Sequence, residues 1–217
     1  MPFQVLRRFL ATLRRARYPG SLAYWERRYA GGGHSGSGSS GRLARYKAEV
    51  VNQFILKQQI RSIVELGCGD GQQLQLAQYP EYTGFDISPS AVQRCRKVFR
   101  QHPSLHFEVY EPETFIPAGY RADMSLSLEV LFHITEDHLY KLYMEHLFAL
   151  ARRYVVVFAP NEADATGGYF PHVKFREFTG DVPPGWVLRD RLANPHRDLS
   201  FSDFFFLVSA SMKMPKI

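Results

Sequence analysis

The sequence predicts an α/β protein: a mostly parallel sheet of seven strands, covered by helices on both faces, closed by an antiparallel pair and preceded by N-terminal helices. Three observations predict it. From Arg61 to Phe158, short apolar runs alternate with helical stretches, as in strands joined by crossover helices. A glycine-rich turn, Gly67-Cys68-Gly69-Asp70-Gly71, follows the first of those runs. Near the end, two strand-like runs at 186–192 and 204–209 are joined by a polar loop too short for a helix, so they pair antiparallel.

The elements follow in order. In residues 3–17, Phe3, Val5, Leu6, Phe9, Leu10 and Leu13 share one stripe at helical spacing, with Arg7, Arg8, Arg14 and Arg15 off it. That is a basic amphipathic helix, stopped by Pro19-Gly20. It suits an anionic membrane surface, or docking on its own domain or on a second subunit. An arginine-rich, acid-free start also has the character of a mitochondrial transit segment. Residues 21–30 are aromatic and basic, with Tyr24, Trp25, Arg27, Arg28 and Tyr29. Residues 31–41, GGGHSGSGSSG, have the composition of a linker or of a loop folding over a ligand. Residues 42–59 read as a helix, 63–66 as a strand, 72–78 as a helix and 82–87 as a strand. Ser88 caps a helix with Pro89 in its first turn. Strands follow at 105–110 and 122–130. Thr135 is expected to cap a helix running to about Ala151, with Glu136 and Asp137 in the first turn. The run YVVVF at 154–158 is a buried strand.

The 217 residues, 45% apolar and 22% charged, fit one globular domain with N-terminal trimmings at 1–41 and a main domain at 42–217. Composition excludes a disordered chain, a collagen-like fibre and a disulfide scaffold; two cysteines fit a reducing compartment. No run approaches the ~18 apolar residues of a membrane span. The net charge of +6 is unevenly placed: residues 1–47 carry +9, with Glu26 their single acid, and residues 48–217 carry −3. Any electrostatic partner therefore belongs to the first 47 residues. The histidines show no metal-ligand spacing, and no phosphate-binding G-x-x-x-x-G-K-[ST] loop occurs.

The glycine turn carries the chemistry. It lets a ligand approach the backbone closely, and Asp86 ends the next strand about twenty residues on, where a carboxylate can accept both hydroxyls of a ribose. The G-x-G-x-G spacing departs from the dinucleotide pattern. Taken with FDIS at 85–88, DMSLSLEVLFHITED at 123–137 and RRYVVVFAP at 152–160, the motif resembles class I S-adenosylmethionine-dependent methyltransferases over roughly residues 42–210. The resemblance implies a Rossmann-like fold and S-adenosylmethionine as cofactor. It implies that Glu65 lies near the amino group of the methionine part, that Gly67, Cys68 and Gly69 lie against the cofactor, and that Asp86 holds the ribose. Ile87 and Tyr110 or Glu111 would flank the adenine, with Leu128 and Glu129 beneath the methyl group.

WERRYAGGGHSGSGSSGRLARYK at 25–47 and HVKFREF at 172–178 further resemble small bacterial methyltransferases associated with cell-envelope glycans or secondary metabolites. This favours a lid at 31–41. Arg45, Tyr46 and Lys47 follow it on one helical turn and could meet a cofactor carboxylate or an anionic substrate. His133, after the fourth strand, is the candidate base, and Glu129 a second. His172, Lys174 and Arg176, at alternate positions, point to one side of an extended segment and suit an anionic acceptor; Asn161 could face the same cleft.

The expected function is methyl transfer to a hydroxyl of a sugar, glycan or small molecule of anionic character, in the cytoplasm or on the inner membrane surface through residues 3–17, with a homodimer also open. The alternatives are a nucleic-acid or protein methyltransferase using the basic N-terminus and a non-catalytic membrane-attached scaffold. The sequence lacks the asparagine-proline-proline-aromatic motif that serves base amines.

Overall fold

A computed structural model describes residues 18–162 and 170–212. The amphipathic pattern at 3–17 lies outside them. The described chain runs α1 (Ser21–Ala30), α2 (Gly41–Gln58), β1 (Ser62–Leu66), β2 (Glu81–Asp86), α3 (Pro89–Val98), β3 (Leu105–Val109), β4 (Ala122–Leu128), α4 (Asp137–Ala149), β5 (Ala151–Ala159), β6 (Trp186–Leu192) and β7 (Asp203–Ser209).

The seven strands form one sheet in the order β3-β2-β1-β4-β5-β7-β6. The first five are parallel, and β7 enters antiparallel to β5 and β6. Strand order reverses between β1 and β4, and ligands bind outside the C-terminal strand ends at such a point. Period-two alternation splits the core. Val156 and Phe158 of β5 pack with Leu43, Val51 and Ile55 of α2 and with Val92 of α3. Val155 and Val157 face the other way, onto Met144, Leu147 and Phe148 of α4. A parallel strand buried on both faces needs apolar residues at every position, which YVVVF supplies.

Three local expectations are corrected. The helix expected at 72–78 is a single tight turn, Gln73–Leu76. Leu74 is its one buried residue, too little to repay nucleating a longer helix. The fourth strand ends at Leu128 rather than 130, because Glu129 turns the chain out with φ +62°. Thr135 does not cap α4: its N–H donates to Ser21 Oγ (3.0 Å), and α4 starts after Glu136 with no side-chain cap. The Ser88 cap is present, its hydroxyl accepting from Ala91 N (3.1 Å). No described helix is long and apolar enough to cross a membrane.

Candidate functional site

The C-terminal strand ends open into one cleft of about 400 Å³. At its β2 side, Gly67 and Cys68 both donate N–H to the Phe85 carbonyl (2.7 and 3.0 Å), turning the chain away from β1. Gly67 has φ +85°, and a Cβ there would drive into Val130, so only glycine fits. The Asp86 carboxylate takes Gly69 N–H on Oδ2 and Ser88 N–H on Oδ1, each at 2.9 Å. A carboxylate has about four acceptor positions, so each oxygen keeps one. Burial pushes this carboxyl up to about 6, against the pull of the two N–H groups. Ile87, Tyr110 and Leu128 add apolar wall; Tyr110 is fixed by a 2.8 Å bond between its hydroxyl and His146 Nδ1.

Behind the glycine turn lies a buried charge row. Tyr82 donates to Glu65 Oε2 (2.7 Å). Lys47, 1% exposed, sets Nζ 3.6 Å from Glu129 Oε2. Burial pushes the Glu65 carboxyl up to about 7, with Tyr82 and Lys47 pulling the other way. Burial also holds Lys47 below the usual lysine range, opposed by Glu129 and Glu65. Glu129 Oε1 accepts from Ser200 (2.6 Å) and Ser202 (3.3 Å). Its positive φ is strain of a kind that gathers at functional sites. Gly38 lies so close that a Cβ on it would meet the Glu129 carboxylate. Gln73, also on the cleft wall, keeps a buried amide oxygen without a partner among the described residues.

Helix α1 roofs this cleft and is fastened by two carboxylates. Its first N–H, of Ser21, donates to Glu136 Oε1 (2.8 Å), so a neighbouring acid serves the exposed donors of the helix start. Glu26 reaches the N-terminus of α3, accepting from Ser88 Oγ, Ser90 Oγ (2.6 Å) and Ser90 N (3.3 Å). Arg94 donates to the carbonyls of Gly33 (2.9 Å) and Tyr29 (3.3 Å), and Ser35 donates to Asp70 Oδ1 (2.6 Å). The Gly/Ser stretch is thereby folded against the cleft, and Ser35 to Ser39 line it.

At the end of the cleft next to Glu136 stands His133. Its Nδ1 lies 3.1 Å from the His172 carbonyl. A carbonyl only accepts, so Nδ1 carries the proton and Nε2 is the bare acceptor. Burial pushes the imidazole down to about 4, with the His172 carbonyl pulling the other way, so the ring is neutral at pH 7. An ordinary value near 6.5 is therefore not what this histidine has. Trp25 meets it edge-on at 4.8 Å, and Tyr24 stacks on His172 at 4.8 Å.

Of the residues the sequence singles out, Glu65, Gly67, Cys68, Gly69, Asp86, Ile87, Tyr110, Leu128, Glu129, Lys47, His133 and His172 line this one cleft. The others do not. Arg45 is exposed elsewhere on α2, because consecutive helical side chains diverge by about 100°. Tyr46 packs its ring on Phe158 and Phe204. Glu111 is exposed and accepts from Thr114 (3.2 Å), and Pro112 takes the wall position. Lys174 and Arg176 are drawn off by Asp137 (2.6 and 2.9 Å), and Arg176 also donates to the Ile134 carbonyl (2.7 Å). Asn161 pairs with Thr179 (2.8 Å). Sequence reasoning missed Gln73, Ser200, Ser202 and Phe201, which reach the cleft from loops without a motif. It noticed Tyr24, Trp25 and Arg28 without assigning them to the site; their aromatic-basic density was the available signal.

Residues 63–153 match the family model described as a methyltransferase domain. The sheet order and the Gly67–Asp86 corner are those of the class I methyltransferase fold. Among solved structures, the chain is similar to N-methyltransferase NodS from Bradyrhizobium japonicum WM9, solved with S-adenosyl-L-homocysteine: 14% identity and TM-score 0.70, over 89% of this chain and all of that one. It is also similar to magnesium protoporphyrin IX methyltransferase from Synechocystis PCC 6803, with 20% identity and TM-score 0.61, over 91% and 99% of the two chains. A bacterial CtHen1 methyltransferase domain matches at 15% identity and TM-score 0.60, over 77% and 98%. No curated protein matches by sequence.

Proposed function

We propose that the protein transfers a methyl group from S-adenosylmethionine to a hydroxyl of a small-molecule or glycan acceptor. One observation carries the cofactor assignment: the Gly67–Gly69 turn and Asp86 meet at the switch point, with acceptor positions of the carboxylate left over. The donor set fits the cofactor. Asp86 would accept the ribose hydroxyls, Ile87 and Tyr110 would flank the adenine, and Glu65 with the unpartnered Gln73 oxygen would receive the amino group. The match with methyltransferases solved with S-adenosyl-L-homocysteine supports the same assignment.

The cofactor supplies an electrophilic methyl on a sulfonium that is already a good leaving group. What remains for the chain is to orient the acceptor, exclude water and take a proton. Roof helix α1 and the 35–39 segment exclude water. His133 takes the acceptor's proton on Nε2. A hydroxyl needs such a base, whereas a neutral amine does not.

Calorimetric titration tests the reading. S-adenosylmethionine is expected to bind, and Asp86→Ala to weaken it by ~100-fold or more, since hydrogen bonds to a charged group contribute about 1.5–3 kcal/mol each. Absence of binding to the native chain would overturn it.

A further inference from the structure

The acceptor end of the cleft is built for flat rings. Tyr24, His172 and His133 form a column of near-parallel rings, tilted by 11° between the first pair and 13° between the second. Trp25 closes the column edge-on, and Phe132 lies 4.3 Å from His133. The rim continues apolar: Phe201, 71% exposed, lines the mouth. Two sets of hydrogen-bonding side chains nearby are already engaged. Ser21, Thr135 and Glu136 bond one another, and Glu129 is taken up by Lys47, Ser200 and Ser202. A sugar would turn most of its hydroxyls toward ring faces, and each hydrogen bond left unmade there carries a cost. A planar ring loses nothing there and gains stacking.

Among the described residues, Arg28 is the cation at this end. It lines the cleft with its guanidinium 5.6 Å from the Trp25 ring centre. Its Nε donates to the His34 carbonyl (2.7 Å); its terminal nitrogens have no partner among the described residues. It is near enough to His133 and His172 for its charge to disfavour their protonation. A guanidinium with both terminal nitrogens free is a carboxylate receptor.

We infer that the acceptor is a phenolic acid, its ring held among Tyr24, Trp25 and His172, its hydroxyl at His133 and its acidic group at Arg28. This rests on the methyltransferase reading and narrows it. The base agrees. A phenol loses its proton near pH 10, within reach of a weakly basic imidazole, whereas an aliphatic hydroxyl resembles water at about 15.7. In the step, the phenolic oxygen gives its proton to Nε2 of His133 and an electron pair to the methyl carbon. The carbon–sulfur bond breaks with its pair staying on sulfur. An aryl methyl ether, a thioether and an imidazolium result, and the imidazolium returns its proton to water.

The test runs on the full chain in two stages. Calorimetry with S-adenosylmethionine comes first; failure there sinks the methyltransferase reading itself. With the cofactor bound, labelled-methyl transfer is measured to 4-hydroxybenzoate, 4-hydroxycinnamate, phenol and methyl glucuronide. The acids are expected to exceed phenol by at least tenfold in kcat/KM and the glucuronide by more. Arg28→Gln is expected to bring the acid-to-phenol ratio close to one. A Trp186→Phe chain, leaving Trp25 as its one tryptophan, should show fluorescence quenching by the acids. Preference for the glucuronide, an unchanged acid-to-phenol ratio in Arg28→Gln, or cofactor binding with neither quenching nor transfer would overturn the phenolic-acid assignment and leave the methyltransferase reading standing.

Discussion

The two ends of the cleft are made differently. The β2 end is built from backbone: N–H groups of Gly67, Cys68, Gly69 and Ser88 fix its shape, and its acids, Glu65 and Asp86, are buried with carboxyls raised toward neutrality. The His133 end is built from side chains on three separate segments: α1, the turn after β4 and the stretch around His172. One end is a local motif and the other a convergence of distant pieces. A motif serves a ligand whose chemistry does not vary. A convergence can be rebuilt for each acceptor, since function lives in sites grafted onto a fold.

The sharpest way to separate the ends is to remove His133. His133→Ala is expected to lower kcat by ~10²-fold or more, the usual share of a positioned base, while the dissociation constant for S-adenosylmethionine stays within about twofold. Rapid-quench rates and calorimetry measure the two quantities. A common loss in both would mean that the ends are not independent and that His133 serves the packing of α1.

The ends should also part in pH. Neutral His133 is the working form, and with its value near 4 it is fully present above about pH 5; kcat should be flat from pH 6 to 8. Ionised Glu65 and Asp86 are the forms that hold an amino group and ribose hydroxyls. Cofactor affinity should therefore rise with pH through about 6 to 7. Stability without cofactor runs the other way. A carboxyl raised from its unfolded value near 4.3 to about 7 binds more protons folded than unfolded, so stability falls as pH climbs through that window, by about 4 kcal/mol for Glu65. Glu65→Gln should lose that slope: relative to the native chain, its melting temperature should gain between pH 4 and pH 8, and the gain should vanish on acidification. Equal slopes would place Glu65 in an environment that stabilises its charge.

The same division explains what the sequence disclosed. The glycine turn and Asp86 are legible because a left-handed turn demands glycine locally and the acid sits one strand on at a fixed spacing. The mostly parallel sheet and its antiparallel closing pair were legible from alternation. The acceptor end was half legible. His133 and His172 stood out as ionisable residues after strands, but Lys174 and Arg176, read as facing the site, answer instead to Asp137 at the start of α4. Spacing says which residues share a side and not which distant charge will claim them. Of Arg45, Tyr46 and Lys47, Lys47 lines the cleft and the other two do not, since three consecutive helical positions cannot share a face. The roof role of α1 was not legible, because it depends on Ser21 and Glu26 meeting groups 115 and 62 to 64 residues away.

Glu26 gives the smallest and most specific test. It is the single acid among the first 47 residues, in a stretch whose charge suggests attraction to something anionic outside the protein. Its carboxylate instead pins that basic stretch to the protein itself, at the N-terminus of α3, where Ser88 and Ser90 hold it below the usual carboxylate range. Glu26→Gln keeps the shape and removes the charge, so the expected loss is that of a helix-end interaction, about 1 kcal/mol. It should appear as faster amide hydrogen exchange confined to residues 21–41 and as a KM for acceptor raised several-fold, with exchange in β1, β2 and α3 unchanged. Exchange that quickens throughout the sheet would show α1 to be a pillar of the fold. Exchange that quickens in the roof alone makes it a separable cover, held over the cleft by two carboxylates and able to lift without unfolding what lies beneath.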